Sequence, residues 1–424
     1  MSREPGERLG AVDVFHLRSH QELVTQGHAG NACALVLDLE GRLDRAALER
    51  RVREAVATMP ELGERLGYRF GIDPVWKPGA TPTVSSQMQN GRRLEDIVVE
   101  LIEQPIDGER PWEAHVLSGA SHDAVVLRWF QPFTDARGMC RLGAWLGSDE
   151  PPPAPENRRR VADRLLDGLE ARERVTLARR YFRHVMKLAK TPIFSLHSAS
   201  KARPGAVRML RKRFDAETTE AFYRSLRARA QLADTSVLLF AAARMLDRAL
   251  GKRGYSPPHT LCPVPLSLDG TRDGERMLGN HLTMMMMALD RDDLRDEGRA
   301  VMSLARQRRA IVRDKLDVGM VAALDLVRHM PPRFYSWASR RPFAGERSSL
   351  VVSNPGEIGL ETFLGHALRD AFLVPTVLAP PSFQVIADRY AGKLSVSVIF
   401  REGVMGADEV RELWPSFERD LLGA

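Results

Sequence analysis

The chain has 424 residues and a formal net charge of +7, with 44% hydrophobic and 28% charged residues. These proportions are typical of a globular protein and argue against disordered, collagenous or low-complexity chains. At about 150 residues per domain, the length predicts two or three domains, or two large lobes. The charge is uneven. Residues 157–214, the basic belt, hold 17 Lys and Arg against four acidic residues, so the rest of the chain is slightly acidic.

Three widely spaced cysteines, Cys33, Cys140 and Cys262, form no CxxC motif. An odd cysteine count also argues against a disulfide framework. The N-terminal segment has no apolar core of a secretion signal, and no run approaches the roughly 18 apolar residues that span a bilayer. We therefore expect a cytoplasmic protein, and a peripheral membrane contact stays open.

The first half predicts alternating strands and helices. A strand begins near Asn31 and enters a turn at Gly41, and the following apolar residues have helical spacing. Asp44 is suited to cap that helix and Pro60 to end it. Further along we expect a helix over 92–103, strands over 111–117 and 122–130, a loop over 131–138 and a helix over 139–146.

The proline run Pro151–Pro155 is the clearest boundary in the chain, because consecutive prolines favour a stiff, extended spacer. It divides the chain into an N-terminal lobe (1–150), a boundary with a basic helix (151–200) and a C-terminal lobe (201–424). A long Arg-rich helix is predicted over 161–190. In the last part we expect strands at 211–215, 261–268, 281–289, 350–353, 382–388 and 393–400, and helices at 216–230, 236–250, 293–315 and 408–422. Both halves therefore predict an α/β fold.

Four segments in this order resemble condensation-domain and wax-ester-synthase-like acyltransferases. They are LEGRLDRAALERRV with MPEL, VLRWFQPFTDARG, CPVPLSLDGTRDGERMLGNHLTMM, and VVSNPGEIG. The resemblance implies a chloramphenicol-acetyltransferase-like fold, in which two α/β lobes face each other across a central tunnel. It also implies an acyl thioester and a small-molecule acceptor that enter from opposite sides. The donor would be acyl-CoA or an acyl carrier protein, with no permanently bound cofactor.

The second segment lies where this superfamily carries HHxxxDG. Aligned on Asp135, the two histidine positions are Phe130 and Gln131, and the glycine position is Ala136. In such enzymes the histidine activates the acceptor, and the aspartate holds the loop through a basic partner. A glutamine amide cannot take the proton that a histidine takes at neutral pH. We expect Gln131 and Asp135 to mark the active-site loop, with Phe130 at the substrate.

Other histidines are candidates for a surrogate base. His281 follows Gly279-Asn280, a stretch that lines the lobe interface in the superfamily, and His115 and His122 lie on or near the strands before the loop. The default interpretation of each is an ordinary strand or loop histidine. We include His281 among the substrate-binding candidates.

Two further segments are candidates for substrate contact. The run Met284–Met287 suits a channel for variable acyl chains because methionine is flexible and polarisable, or it fills a core. Strand alternation would put two of the four on each face, and we assign Met285 to the substrate. Ser353, Asn354 and Gly356 predict a tight turn at a strand end. Its Ser and Asn side chains would either polarise a thioester carbonyl or have only a structural role in the turn.

Several other kinds of site are disfavoured. His16 and His20 are four residues apart, but no third ligand is evident, so we expect no metal site. Glycine-rich phosphate loops and a GxSxG nucleophile elbow are absent from the sequence. Aromatic residues do not interleave with the basic charges, which disfavours nucleic acid.

The leading hypothesis is an acyltransferase that forms an ester or amide without the usual histidine. The alternatives are a non-catalytic scaffold or recruitment protein, and an enzyme that uses the tunnel for another reaction, such as a cyclisation. The basic belt would dock an acidic acyl carrier protein, hold the phosphates of coenzyme A, rest on an anionic membrane, or simply be solvated.

Overall fold

A computed structural model describes residues 7–79, 81–148, 165–200, 202–229, 234–267 and 277–423. Its helices are α1 (Ala11–Thr25), α2 (Arg45–Thr58), α3 (Leu94–Ile102), α4 (Ala136–Gly147), α5 (Ala171–Leu188), α6 (Leu196–Ala199), α7 (Ala216–Arg229), α8 (Asp234–Lys252), α9 (Glu297–Arg313), α10 (Leu316–Val327), α11 (Pro332–Arg340) and α12 (Ala407–Leu422). Its strands are β1 (Glu7–Arg8), β2 (Ala32–Leu39), β3 (Glu64–Arg69), β4 (Asp73–Pro78), β5 (Val84–Met88), β6 (Trp112–Ser118), β7 (Asp123–Phe130), β8 (Val207–Arg213), β9 (His259–Ser267), β10 (Leu282–Asp290), β11 (Val351–Glu357), β12 (Thr362–Phe363), β13 (His366–Val374), β14 (Phe383–Tyr390) and β15 (Lys393–Arg401). The predicted boundary at Pro151–Pro155 lies outside the described residues.

The first lobe is built on a sheet with the strand order β12-β13-β2-β7-β6-β5. Strands β2 and β7 lie in its centre and are almost entirely buried, and helices α2, α3 and α4 pack against the sheet. The start of α2 follows the sequence prediction, because the Asp44 carboxylate accepts a hydrogen bond from the N–H of Ala46 at 2.9 Å. The helix ends at Thr58, two residues before Pro60.

One strand of this first sheet comes from the far end of the chain. Strand β13 pairs antiparallel with β2, with Val374 opposite Ala34. The local sequence predicts no strand at 366–374 and places all of 201–424 in the second lobe, so both expectations are wrong for this segment. The placement of β13 in the first sheet has a physical reason. Without it, the edge of β2 would leave a row of backbone N–H and C=O groups unpaired inside the molecule.

The second lobe is built on a sheet with the order β11-β14-β15-β8. Alternate residues of this sheet face opposite cores. Val396 and Val398 pack in the core with helices α8 and α12, whereas Ile386 and Ile399 join the core of the first lobe. This period-two pattern is what a sheet covered on both faces requires. A two-stranded ribbon of β9 and β10 lies beside it.

A buried carboxyl group joins the two sheets. Asp388 on β14 accepts a hydrogen bond from the N–H of Leu373 on β13 at 3.0 Å. Burial raises the pKa of Asp388 to about 7, although the Leu373 N–H, Arg211 and Ser395 lower it. Between about pH 4 and 7 the folded chain thus keeps a proton on Asp388 that the unfolded chain has released. The free energy of unfolding therefore falls as the pH rises through this range.

We therefore expect Asp388→Asn to gain stability relative to the wild type as the pH rises from about 4 to 7, because the amide does not ionise. The difference should level off above about pH 7. Urea unfolding of both proteins across this pH range measures it. A constant difference at every pH would contradict the raised pKa of Asp388.

The basic belt differs from the sequence prediction in structure and in charge pairing. Residues 165–168 form a turn and α5 begins only at Ala171; residues 161–164 lie outside the described part. Side chains on β8 are paired, as in Arg208–Glu402, Arg211–Asp370 and Lys212–Glu418. On α5, in contrast, Arg179, Arg183 and Lys187 are exposed and form no ion pair with any described residue. Among the described helices, none is both long and apolar enough to cross a bilayer.

Candidate functional site in the interlobe cavity

A cavity of about 500 Å³ lies between the two lobes. Helices α1, α5, α10 and α11 and strands β9, β10, β11, β13 and β14 all contribute to its wall. Most of the wall is apolar, as shown by Phe15, Val185, Met284, Leu324, Phe343 and Ile386. A largely apolar cavity with a few polar groups is the usual form of a site for an organic ligand.

The loop of residues 131–135 connects β7 to α4, and Gln131 and Asp135 both line the cavity. One oxygen of the Asp135 carboxylate caps α4 by accepting from the N–H of Gly138 at 2.9 Å. The other oxygen accepts from the N–H of His281, also at 2.9 Å. The resemblance implied a basic partner for this aspartate, but its partners are two backbone N–H groups. Asp135 is thus a positioning residue that ties the loop to the second half of the chain.

The segment 277–281 holds this loop from the other side. The N–H of Gly279 donates to the carbonyl of Phe133 at 2.8 Å, and the N–H of Asp135 donates to the carbonyl of Gly279 at 3.3 Å. A short parallel bridge between Thr134 and Gly279 results. The two segments are far apart in sequence, so the geometry of the loop depends on the association of the two halves.

Asn280 connects the loop to α1. Its backbone N–H and its Nδ2 donate to Oδ1 of Asp13 at 2.9 and 2.8 Å. A carboxylate only accepts, so the Asn280 Oδ1 faces the other way and accepts from Nε2 of Gln131 at 3.4 Å. Oε1 of Gln131 then accepts from the thiol of Cys33 at 2.8 Å. Burial raises the pKa of Cys33 to about 12, so the thiol keeps the hydrogen that it donates.

This chain of contacts fixes what Gln131 can do. Its Oε1 and one hydrogen of Nε2 are engaged, and the second hydrogen of Nε2 has no partner within the described residues. An amide does not accept a proton near neutral pH. The side chain therefore offers one oriented hydrogen-bond donor at the cavity wall and no base.

His281 is buried and lines the cavity, as the resemblance predicted for its stretch. Its Nε2 lies 2.7 Å from the carbonyl oxygen of Leu278. Because a carbonyl only accepts, Nε2 carries the hydrogen and Nδ1 holds the lone pair in the neutral ring. Nδ1 has no hydrogen-bond partner in the described part of the chain.

His16 on α1 is a second cavity-lining imidazole, which sequence analysis did not propose for substrate chemistry. Burial lowers its pKa to about 4, and the Asp135 carboxylate raises it in part, so the ring is neutral at physiological pH. Sequence analysis considered it only with His20 as a metal pair, but Nδ1 of His20 accepts from the N–H of Asn31 at 3.1 Å. The sequence feature that could have pointed to His16 is its spacing from Asp13, because residues three apart lie on the same face of a helix.

The described residues contain no group of three His, Cys, Asp or Glu side chains that could hold a metal ion. Other predicted residues lie outside the cavity wall. Phe130 is completely buried in the first core, where its ring packs edge-to-face on His20 at 4.8 Å. His115 bonds Ser85 at 2.6 Å, and neither it nor His122 lines the cavity. Phe130 thus packs against α1 and His115 against the first sheet, and none of the three residues lines the cavity.

The methionine run alternates as predicted, with the opposite assignment of faces. Met284 and Met286 line the cavity. Met285 and Met287 are buried in the second core, so Met285 does not face the cavity. A period-two pattern shows which side chains share a face but not which face is buried. In the structure Met285 and Met287 lie opposite Val264 and Cys262 of β9, and all four are in the second core.

The SNPG segment is a bulge in β11, where sequence analysis predicted a turn at a strand end. Ser353 pairs with Ile386 and Gly356 with Asp388, so three residue spacings on β11 lie opposite two on β14. One extra residue is therefore inserted in β11. Ser353 and Asn354 line the cavity, whereas Gly356 does not. The Nδ2 of Asn354 donates to the hydroxyl of Thr235 at 3.3 Å. Ser353 is therefore the less constrained of these two polar side chains at the cavity wall.

No family model and no curated protein matches this sequence, whereas solved structures match nearly its whole length. The first condensation domain of the calcium-dependent antibiotic synthetase, in complex with a substrate analogue, has 17% identity and a TM-score of 0.73 over 99% of this chain and 96% of its own. Trichothecene 15-O-acetyltransferase from Fusarium sporotrichioides has 11% identity and a TM-score of 0.72, over 98% and 95% of the two chains.

The starter condensation domain of rhizomide synthetase, a mutant in complex with C8-CoA and Leu-SNAC, has 12% identity and a TM-score of 0.67 over 98% of this chain and 94% of its own. These likenesses confirm the predicted architecture of two lobes. The chain therefore has the chloramphenicol-acetyltransferase-like α/β fold that condensation domains share with this acetyltransferase.

Proposed function

We propose that the chain transfers an acyl group from a thioester to a hydroxyl or amine inside the interlobe cavity, without the histidine of the usual motif. The observation that carries the proposal is one apolar cavity that reaches the loop 131–135 and is lined by an oriented amide donor, the neutral ring of His16 and the His281 ring, whose Nδ1 has no hydrogen-bond partner among the described residues. The donor would be acyl-CoA or an acyl carrier protein, and no permanently bound cofactor is required. The fold is the second line of support.

The cavity residues divide the chemistry between them. The acceptor oxygen or nitrogen attacks the thioester carbonyl carbon, and the free N–H of Gln131 donates to the negative charge that develops on the carbonyl oxygen. The neutral ring of His16 takes the proton of the acceptor, and the thiolate leaves with that proton when the C–S bond breaks. A pKa of about 4 makes His16 a weak base, which suits an amine acceptor better than a hydroxyl.

The test is product formation, followed by mass spectrometry, with acyl-CoAs of graded chain length and a panel of amines and alcohols. We expect product from the wild type, and we expect His16→Phe to lower its kcat by about 100-fold, the lower range for the loss of a proton acceptor. The matched control is His122→Phe, because His122 lies outside the cavity. Equal rates for His16→Phe and the wild type would remove His16 from the mechanism.

A non-catalytic role is the second candidate, and it has its own observation. Oε1 and one of the two Nε2 hydrogens of the Gln131 amide are engaged within the protein, as in a residue that shapes a binding site. A scaffold would bind acyl-CoA in a saturable manner and form no product with any acceptor. Release of free CoA with a cyclised acyl chain would instead favour the cyclisation hypothesis.

A further inference from the structure

Four large apolar side chains are exposed on two helices of the described structure. On α5, Phe182 is 43% and Met186 54% exposed, and on α11, Phe334 is 49% and Trp337 51% exposed. The rings of Phe334 and Trp337 lie 5.5 Å apart and form one apolar cluster. A contiguous exposed cluster of this kind is a common mark of an interaction surface.

Both helices also form the rim of the interlobe cavity. Phe182 and Met186 line it from α5, and Tyr335 lines it from α11. Tyr181 lines the cavity as well; burial raises the pKa of its hydroxyl, and the nearby Tyr335 raises it further. Phe182 and Met186 are both exposed and cavity-lining, so the apolar interior reaches the surface at the α5–α11 face.

The same face is strongly basic. Arg179, Arg183 and Lys187 are exposed on α5, and Arg333 and Arg341 are exposed at the two ends of α11. The guanidinium group of Arg341 lies 4.8 Å from the centre of the Trp337 ring. Residues 332–341 contain three arginines and no acidic residue.

We propose that the α5–α11 face docks on an anionic lipid bilayer, with its cavity open toward the acyl chains. Tryptophan and phenylalanine beside Arg and Lys are the side chains that enter the headgroup region, and each basic residue near an anionic surface adds to the attraction. A second copy of this chain would bring two cationic faces together, which disfavours self-association here. An apolar chain could pass from the bilayer into the cavity without crossing water.

Vesicle flotation tests the surface without any thioester or acceptor, so its outcome is separate from the proposed acyl transfer. We expect the whole chain to float with phosphatidylcholine vesicles that contain about one third phosphatidylglycerol, and only weakly with phosphatidylcholine alone. Phe334→Ala with Trp337→Ala should lower partitioning at least about 10-fold through lost apolar contact. Arg179→Glu with Arg183→Glu should lower it similarly.

The matched control uses α9, where Met302 and Val312 are comparably exposed but do not line the cavity. Met302→Ala with Val312→Ala should leave partitioning unchanged, and circular dichroism would show that each variant is folded. Lipids with brominated chains should quench the wild-type tryptophan emission, and Trp337→Phe should abolish this quenching while it keeps most of the vesicle binding.

Three results would overturn the proposal. One is equal binding to neutral and anionic vesicles. Another is an equal loss of binding in the α9 control. The third is an effect of the Phe334 and Trp337 substitutions on binding to an acyl carrier protein or to RNA, with vesicle binding intact.

Discussion

Replacing Asp13 with alanine is expected to lower the free energy of unfolding by about 3–5 kcal/mol and to disconnect the loop 131–135 from α1. Oδ1 of Asp13 accepts from two donors of Asn280, and Oδ2 accepts from the N–H of Gly10 at 3.0 Å. Asp13 and Asn280 are both buried, so the substitution leaves three donors without their acceptor. Urea unfolding measures the change.

Two other substitutions separate the network from a simple helix cap. Asp44→Ala removes the exposed cap of α2, and we expect it to cost only about 0.5–2 kcal/mol. Asp13→Asn keeps one acceptor oxygen and should fall between the two alanine variants. If Asp13→Ala costs no more than Asp44→Ala, then the buried contacts with Asn280 do not stabilise the fold as the geometry indicates.

Local elements of this fold were predictable because their causes are local. The Asp44 cap, the end of α2 before Pro60 and the apolar strand β7 each follow from a few consecutive residues. Strand β13 was missed for the opposite reason. Its place in the first sheet is set by pairing with β2, more than 300 residues away along the chain, and local sequence preference carries little information on such pairing.

The candidate site was also predicted only in part: the part set by consecutive residues was found, and the part set by contacts between distant segments was not. The loop with Gln131 and Asp135 was found from one short motif. The contacts that define the roles of these residues come from three separate segments, which contribute Asp13, Cys33 and Asn280. Sequence alternation also could not say that Met284, rather than Met285, faces the cavity, because both choices satisfy the same period.

The His16 imidazole shows how a side chain gains a role only in the folded state. In the sequence it is one of 11 histidines, marked only by its spacing from Asp13 and from His20. Packing of α1 beside the loop makes it a buried, neutral, cavity-lining ring whose pKa burial lowers to about 4. Burial thus keeps it deprotonated and makes it a weak base at the same time.

This weakness leads to the second large expected effect, that of Gln131→His. An imidazole at this position would stand at the cavity wall where the free N–H of Gln131 now lies, with a pKa closer to the ordinary value. If the cavity holds a thioester and an acceptor, we expect acyl transfer to rise by about 10²–10⁴-fold, the usual contribution of a positioned general base. Single-turnover rates with an alcohol acceptor measure it, because alcohols depend most on a base.

The pH dependence identifies which imidazole accepts the proton. The deprotonated ring is the active form, so the rate falls as the pH drops through its pKa. In the wild type this fall should appear only near pH 4, the pKa of His16, whereas in Gln131→His it should move up toward about pH 6.5. Gln131→Met, which keeps the approximate volume without a base, is the control and should stay at or below the wild-type rate. A rise in Gln131→Met equal to that in Gln131→His would mean that release of Cys33 and Asn280 from the amide, and not proton transfer, limits the reaction.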